Sequence, residues 1–301
     1  MKKIIIGNSL EKASMMNLEV GLGLADTLKL HPLVVHGDKL ADIDTLGNVF
    51  TSLNLEVQDH YVKSLMQANK EALEKQIKQV RENLDDVSYE SLSGAPADVL
   101  VKEAQEENVA LVSLGYNPDK GLVEKFLGGV TESVLHRSDK SVLIVKGVNA
   151  LKPRKIMIAY DFSHHCNEAI EWMKLFAKNS DATIDIVNII PCYYEGYHLA
   201  HTYSSGLNSV MEKIIDETHQ EVTNKLKDLE KSLNLGDKGK VSVIIDKEGS
   251  ISDRLSQHAD ANDIDLIIMG SHKRGLIGEL FLGSVTSKVI KKSNCSVLVA
   301  K

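Results

Sequence analysis

The segment after Met269 reads Gly270-Ser271-His272-Lys273-Arg274-Gly275-Leu276-Ile277-Gly278-Glu279-Leu280-Phe281-Leu282-Gly283-Ser284-Val285-Thr286, and its glycines and hydroxyls have the chemistry of an anion cradle. A glycine at a strand end lets a backbone approach a ligand closely. A glycine ahead of a helix leaves amide N–H groups facing an anion. Ser284 and Thr286 add hydroxyl donors. Tight turns alone would also use these glycines, and spacing does not separate the two readings. The segment is neither a Walker A loop nor a G-x-G-x-x-G fingerprint: it has no Gly-Lys-Ser/Thr, and its glycines stand too far apart.

A second group of residues has the chemistry of a zinc site. His164, His165 and Cys166 lie close together, and Cys192, His198 and His201 follow in a Tyr-rich stretch. Imidazole and thiolate are zinc ligands, and His198 and His201 at i, i+3 would meet on a helical turn. The spacing matches no standard finger, so histidines on solvated loops are the competing reading. The Tyr193-Tyr194-Glu195-Gly196-Tyr197 stretch could instead cover a nucleotide or an apolar ligand. Nucleophilic catalysis has no support: there is no G-x-S-x-G elbow, and Asp161, Ser163 and His164 are too local for a triad.

These residues sit on a repeated unit. Residues 114–146 align without gaps on 269–301 at a constant offset of 155, and Lys3-Ile4-Ile5-Ile6 pairs with Lys155-Ile156-Met157-Ile158 at 152. The chain's 301 residues therefore divide into two copies, expected as domains 1–148 and 149–301. Short apolar runs alternate with longer amphipathic ones, the pattern of a parallel sheet wound on both faces. In the second copy the pattern predicts strands over 155–160, 183–190, 240–246, 264–270 and 296–300, with helices over 165–178, 207–233, 251–261 and 277–291. The first copy repeats the strands near 2–6, 33–36, 88–92, 110–115 and 141–146. Each copy is then a five-stranded, doubly wound, Rossmann-like α/β domain, whose ligand site belongs at the carboxyl ends of the strands where strand order reverses.

Composition narrows the function classes. Acidic residues outnumber basic ones by 42 to 35, for a net charge of −7, which argues against non-specific nucleic-acid binding. Nothing approaches the roughly 20 apolar residues of a membrane span, and three scattered cysteines build no disulfide framework, so a cytoplasmic protein is expected.

Gly270, two residues, position 273, nine residues and Gly283-Ser284 resemble the universal stress protein signature, glycine-x2-glycine-x9-glycine-Ser/Thr. The strings IDLIIMGSH, LFLGSVTSKVIKKSNCSVLVAK and KIMIAYDFS extend the likeness over the second copy, and the first copy follows more loosely. The resemblance implies two tandem domains of the adenine nucleotide alpha hydrolase-like kind, with ATP or another adenine nucleotide as ligand. It implies that Asp161 accepts the ribose hydroxyls and that the Ile189 backbone reads the base. Gly270, Gly283, Ser284, Val285 and Thr286 would cradle phosphates. Lys273 stands where the signature has its second glycine, and either brings an ammonium to the phosphates or crowds them. In the first copy Ser9 replaces Asp161, Pro118 occupies the second glycine position and Gly128-Gly129 replaces Gly283-Ser284, so that copy is expected to have lost the site.

Three functions remain open on the sequence: a stress or regulatory protein binding a nucleotide in its second copy, a binding module for zinc or another small ligand, and an interaction protein with vestigial sites. No general base for water stands out, so any ATP hydrolysis would be slow. The apolar last strands resemble those through which single-domain relatives dimerise, so the tandem chain is expected to form an internal pseudo-dimer, with a homodimer also open.

Overall fold

A computed structural model describes residues 1–39, 55–116, 128–191, 205–246, 250–271 and 282–301. The strands are β1 (Lys3–Gly7), β2 (His31–Asp38), β3 (Ser88–Ser93), β4 (Val109–Gly115), β5 (Ser141–Val145), β6 (Lys155–Ala159), β7 (Thr183–Pro191), β8 (Gly239–Asp246), β9 (Leu266–Gly270) and β10 (Ser296–Ala300). The α-helices are α1 (Met15–Leu28), α2 (Leu55–Val80), α3 (Pro96–Ala104), α4 (Gly129–Arg137), α5 (Asn167–Asn179), α6 (Ser205–Ser232), α7 (Ile251–Ala261) and α8 (Ser284–Lys292).

Among the described residues, ten strands join one sheet in the order β3-β2-β1-β4-β5-β10-β9-β6-β7-β8. Each half thus has a parallel five-stranded sheet whose order reverses beside its first strand. The halves meet where β5 pairs antiparallel with β10, with Leu143 opposite Leu298. Every residue of β5 and β10 is buried.

The apolar strand runs follow from coverage on both faces. Ile4 and Ile6 face a core shared with α1, α2, α5 and α6, whereas Ile5 faces one shared with α3, α4, α7 and α8. Trp172 of α5 reaches across the midline, its Nε1 donating to Ser141 Oγ of β5 at 2.8 Å.

Helix α7 and strand β10 occupy the residues that the periodicity predicts. Other boundaries moved for local reasons. β2 runs from His31 to Asp38, beyond the predicted 33–36, because pairing with β1 and β3 captures the flanking Pro32, Gly37 and Asp38 despite their low strand preference. Helix α8 begins at Ser284, with Gly283 at its N-cap (φ −58°, ψ 145°), and the predicted start at 277 lies outside the described residues. The predicted helix start at 165 is a 3-10 turn over His164–Cys166, after which α5 begins.

Candidate functional site

The carboxyl ends of β6 and β9 open onto a cavity of about 540 Å³ at the point where the strand order reverses. Its wall includes Asp161, Ile189, Gly270, Gly283, Ser284, Val285 and Thr286, so seven of the eight residues assigned to the ligand lie around one space. The eighth, Lys273, falls outside the described residues.

Asp161 follows β6. Its Oδ1 accepts the Ser163 N–H at 2.9 Å, closing an Asx turn, and takes the Cys166 thiol at 3.2 Å. It therefore does not cap α5, whose N-cap is Cys166 with no side-chain hydrogen bond. Burial pushes the Cys166 thiol up to about 12, and the neighbouring carboxylate also disfavours a thiolate there. The turn is anchored from β7, where Asn188 Nδ2 donates to the Tyr160 carbonyl at 2.7 Å.

In the same cavity wall, α8 presents the backbone N–H groups of its first turn with no capping side chain and no acidic residue. Such amides carry the positive end of the helix dipole and favour an anion. Thr286 is buried and its hydroxyl donates to the Gly270 carbonyl at 3.3 Å, so its contribution to a ligand is its backbone. Gly270 also has a packing reason to be glycine. A Cβ there would lie 2.3 Å from the His165 carbonyl oxygen, because the loop after β6 lies directly on the end of β9.

Much of the remaining wall is apolar. Val187 and Ile189 come from β7, Ile251 and Leu255 from α7, Met269 from β9, and Leu282 precedes α8. The α7 residues are not among those the signature points to, although their i, i+4 spacing at the start of a helix puts both on one face.

The first half brings its strand and helix closer together at the matching place. At the positions equivalent to Ile189 and Ile251 it has Gly37 and Pro96, and a Cβ on Gly37 would lie 2.7 Å from Pro96 Cα. The start of α3 has thus settled against β2. Ser9, at the Asp161 position, accepts the Glu11 N–H at 3.4 Å. Pro118 falls outside the described residues, and Gly128 carries a left-handed φ of 81° at the α4 N-cap.

The zinc reading gains little. The His164 and His165 rings lie with centroids 3.9 Å apart at a 39° tilt, but Cys192, His198 and His201 fall outside the described residues. Among the described residues, no three His, Cys, Asp or Glu side chains are placed to hold a metal ion. Likewise among them, no helix is long and apolar enough to cross a membrane.

Comparison with known proteins places this architecture. The model of the universal stress protein family matches residues 45–146 and 152–301. Universal stress protein MJ0577 of Methanocaldococcus jannaschii is 30% identical over 158 residues, spanning 49% of this chain and 94% of that protein. Universal stress protein YxiE of Bacillus subtilis is 32% identical over 153 residues, 49% of this chain and 98% of its own. Among solved structures, a universal stress protein from Archaeoglobus fulgidus superposes with a TM-score of 0.65 at 20% identity, over 99% of this chain and 98% of that one.

Proposed function

This chain belongs to the universal stress protein family, and from that premise we propose that its second half binds an adenine nucleotide, ATP, ADP or AMP, and that the protein acts as a cytoplasmic stress-response regulator. One observation carries the reading: a carboxylate and an uncapped helix N-terminus line the same cavity, much of whose wall is apolar. The apolar wall between Ile189, Ile251 and Leu255 suits a flat base that shuns water. Asp161 suits the ribose hydroxyls, and the α8 amides at Gly283–Thr286 suit the phosphates. The volume of about 540 Å³ is within the range of small-molecule sites.

Ligand occupancy would act by linkage, stabilising the second half and biasing contacts across β5 and β10. The test is mass spectrometry of gently purified full-length protein for co-purified nucleotide, followed by titration calorimetry with ATP on wild type, Asp161→Ala and Ser284→Ala. Bound nucleotide and weakened binding in both variants support the reading. Wild-type protein that takes up no adenine nucleotide overturns it.

A further inference from the structure

We propose that Cys166 is a positioning residue for this site, its thiol holding the Asp161 carboxylate in the orientation that meets the ligand. The inference rests on the nucleotide reading for its consequence, but on local geometry for its substance.

Cys166 is buried, lies in the cavity wall and places Sγ 3.2 Å from Asp161 Oδ1; its other acceptor, the Ala159 carbonyl, is farther away at 3.8 Å. The shorter contact is also the charge-assisted one, so the thiol directs its single S–H toward the carboxylate. The thiol stays protonated at neutral pH and remains a donor. With the Ser163 N–H on the same oxygen, two donors from one turn fix the carboxylate's rotation. An exposed aspartate would otherwise sample several rotamers, and each ligand bond would cost that freedom.

The first half supplies an internal comparison. Ser14 stands where Cys166 stands, but its hydroxyl donates to the Glu11 carbonyl at 2.7 Å and reaches Asn8 Oδ1 at 3.0 Å, serving the turn itself. That half has Ser9 in place of Asp161 and no carboxylate to orient. The thiol–carboxylate contact is present in the half that keeps the aspartate.

The experiment combines ATP titration of the full chain with infrared spectroscopy of the S–H stretch. Cys166→Ala is expected to weaken ATP binding about threefold to tenfold, the worth of one ordinary hydrogen bond, since a thiol is a weak donor. Cys166→Ser, which keeps a donor, is expected to restore most of the affinity. Unchanged affinity in Cys166→Ala, or Cys166→Ser as weak as Cys166→Ala, overturns the proposal. The S–H band assigned to Cys166 by difference against Cys166→Ala is expected to shift in Asp161→Asn without any ligand. An unmoved band also overturns it. If wild type binds no ATP, the nucleotide reading fails by itself, and the band alone decides whether the thiol orients the carboxylate.

Discussion

Lys146 Nζ donates to the Ser293 carbonyl at 2.6 Å, a bond that crosses from the first half of the chain to the second. Lys301, 155 positions later, returns it to the Ser138 carbonyl at 2.7 Å. The ammonium groups also reach the Ile290 and Leu135 carbonyls, and the two backbone N–H groups donate to Ser296 and Ser141 Oγ at 3.0 and 3.1 Å. Each half therefore ends in a lysine that caps the C-terminus of the other half's helix, α8 or α4. A cation at that pole meets both the dipole and the orphan carbonyls. The same α8 opens the cavity at its other end, so the site and the junction between halves share one helix.

Neutralising either lysine should loosen the junction. Lys146→Met and Lys301→Met are each expected to cost about 1–2 kcal/mol from the lost capping bonds. Lys146 should cost more, because its ammonium also lies 4.6 Å from the centre of the Tyr116 ring, a contact worth about 0.5–1 kcal/mol. Urea denaturation at neutral pH measures both, and midpoints equal to wild type would refute the capping account.

Trp172 offers a direct probe of the same junction, being the protein's one tryptophan and bonded to Ser141 across the midline. If the ten strands unfold as one unit, its fluorescence transition will coincide with loss of far-ultraviolet circular dichroism. Separate transitions would mean that the halves part before they melt. Trp172→Phe is expected to lower stability by about 1–3 kcal/mol, since it removes one of the two N–H groups that donate to buried Ser141 Oγ, along with ring volume.

Much of this architecture was legible in the sequence, because strands buried on both faces are continuous apolar runs and the 155-residue offset pairs the copies. The site was legible in the residues that loops bring to the switch point, Asp161, Gly270 and Gly283 among them. The role of Cys166 was not, since a cysteine beside two histidines reads first as a metal ligand, and only the turn after β6 shows its thiol on Asp161. The crossed lysines were hidden for a different reason: their partners are backbone carbonyls, which leave no trace in side-chain type.

Acid should weaken the second half through Asp185. Burial on β7 would raise its carboxyl, but hydrogen bonds from His258 at 2.8 Å, Ser242 and Lys240 outweigh that and hold it below the usual carboxylate range. The unfolded chain, with an ordinary aspartate pKa of about 3.9, then binds the proton first as pH falls. Stability from this group is complete above the ordinary range and is lost as pH drops from about 5 through the lowered folded value. Asp185→Asn should be less stable at pH 7 and show a shallower decline between pH 5 and 3 in thermal melts. An unaltered slope would remove Asp185 as the cause.

Two equivalent glycines should respond differently to the same methyl group. At Gly270 the added Cβ would sit 2.3 Å from a backbone oxygen, His165 O, which cannot swing aside as a side-chain tip can. At Gly115, its counterpart in the first half, the nearest atom is Asn17 Cβ at 3.5 Å, an ordinary contact. Gly270→Ala is therefore expected to cost about 1–3 kcal/mol and to displace the turn bearing Asp161 and Cys166. Gly115→Ala should stay within about 0.5 kcal/mol of wild type. Paired melts give the stability difference, and ATP titration gives the functional one, with affinity falling in Gly270→Ala alone. Equal effects at both positions would show that the close seat of the β6 turn on β9 does not shape the site.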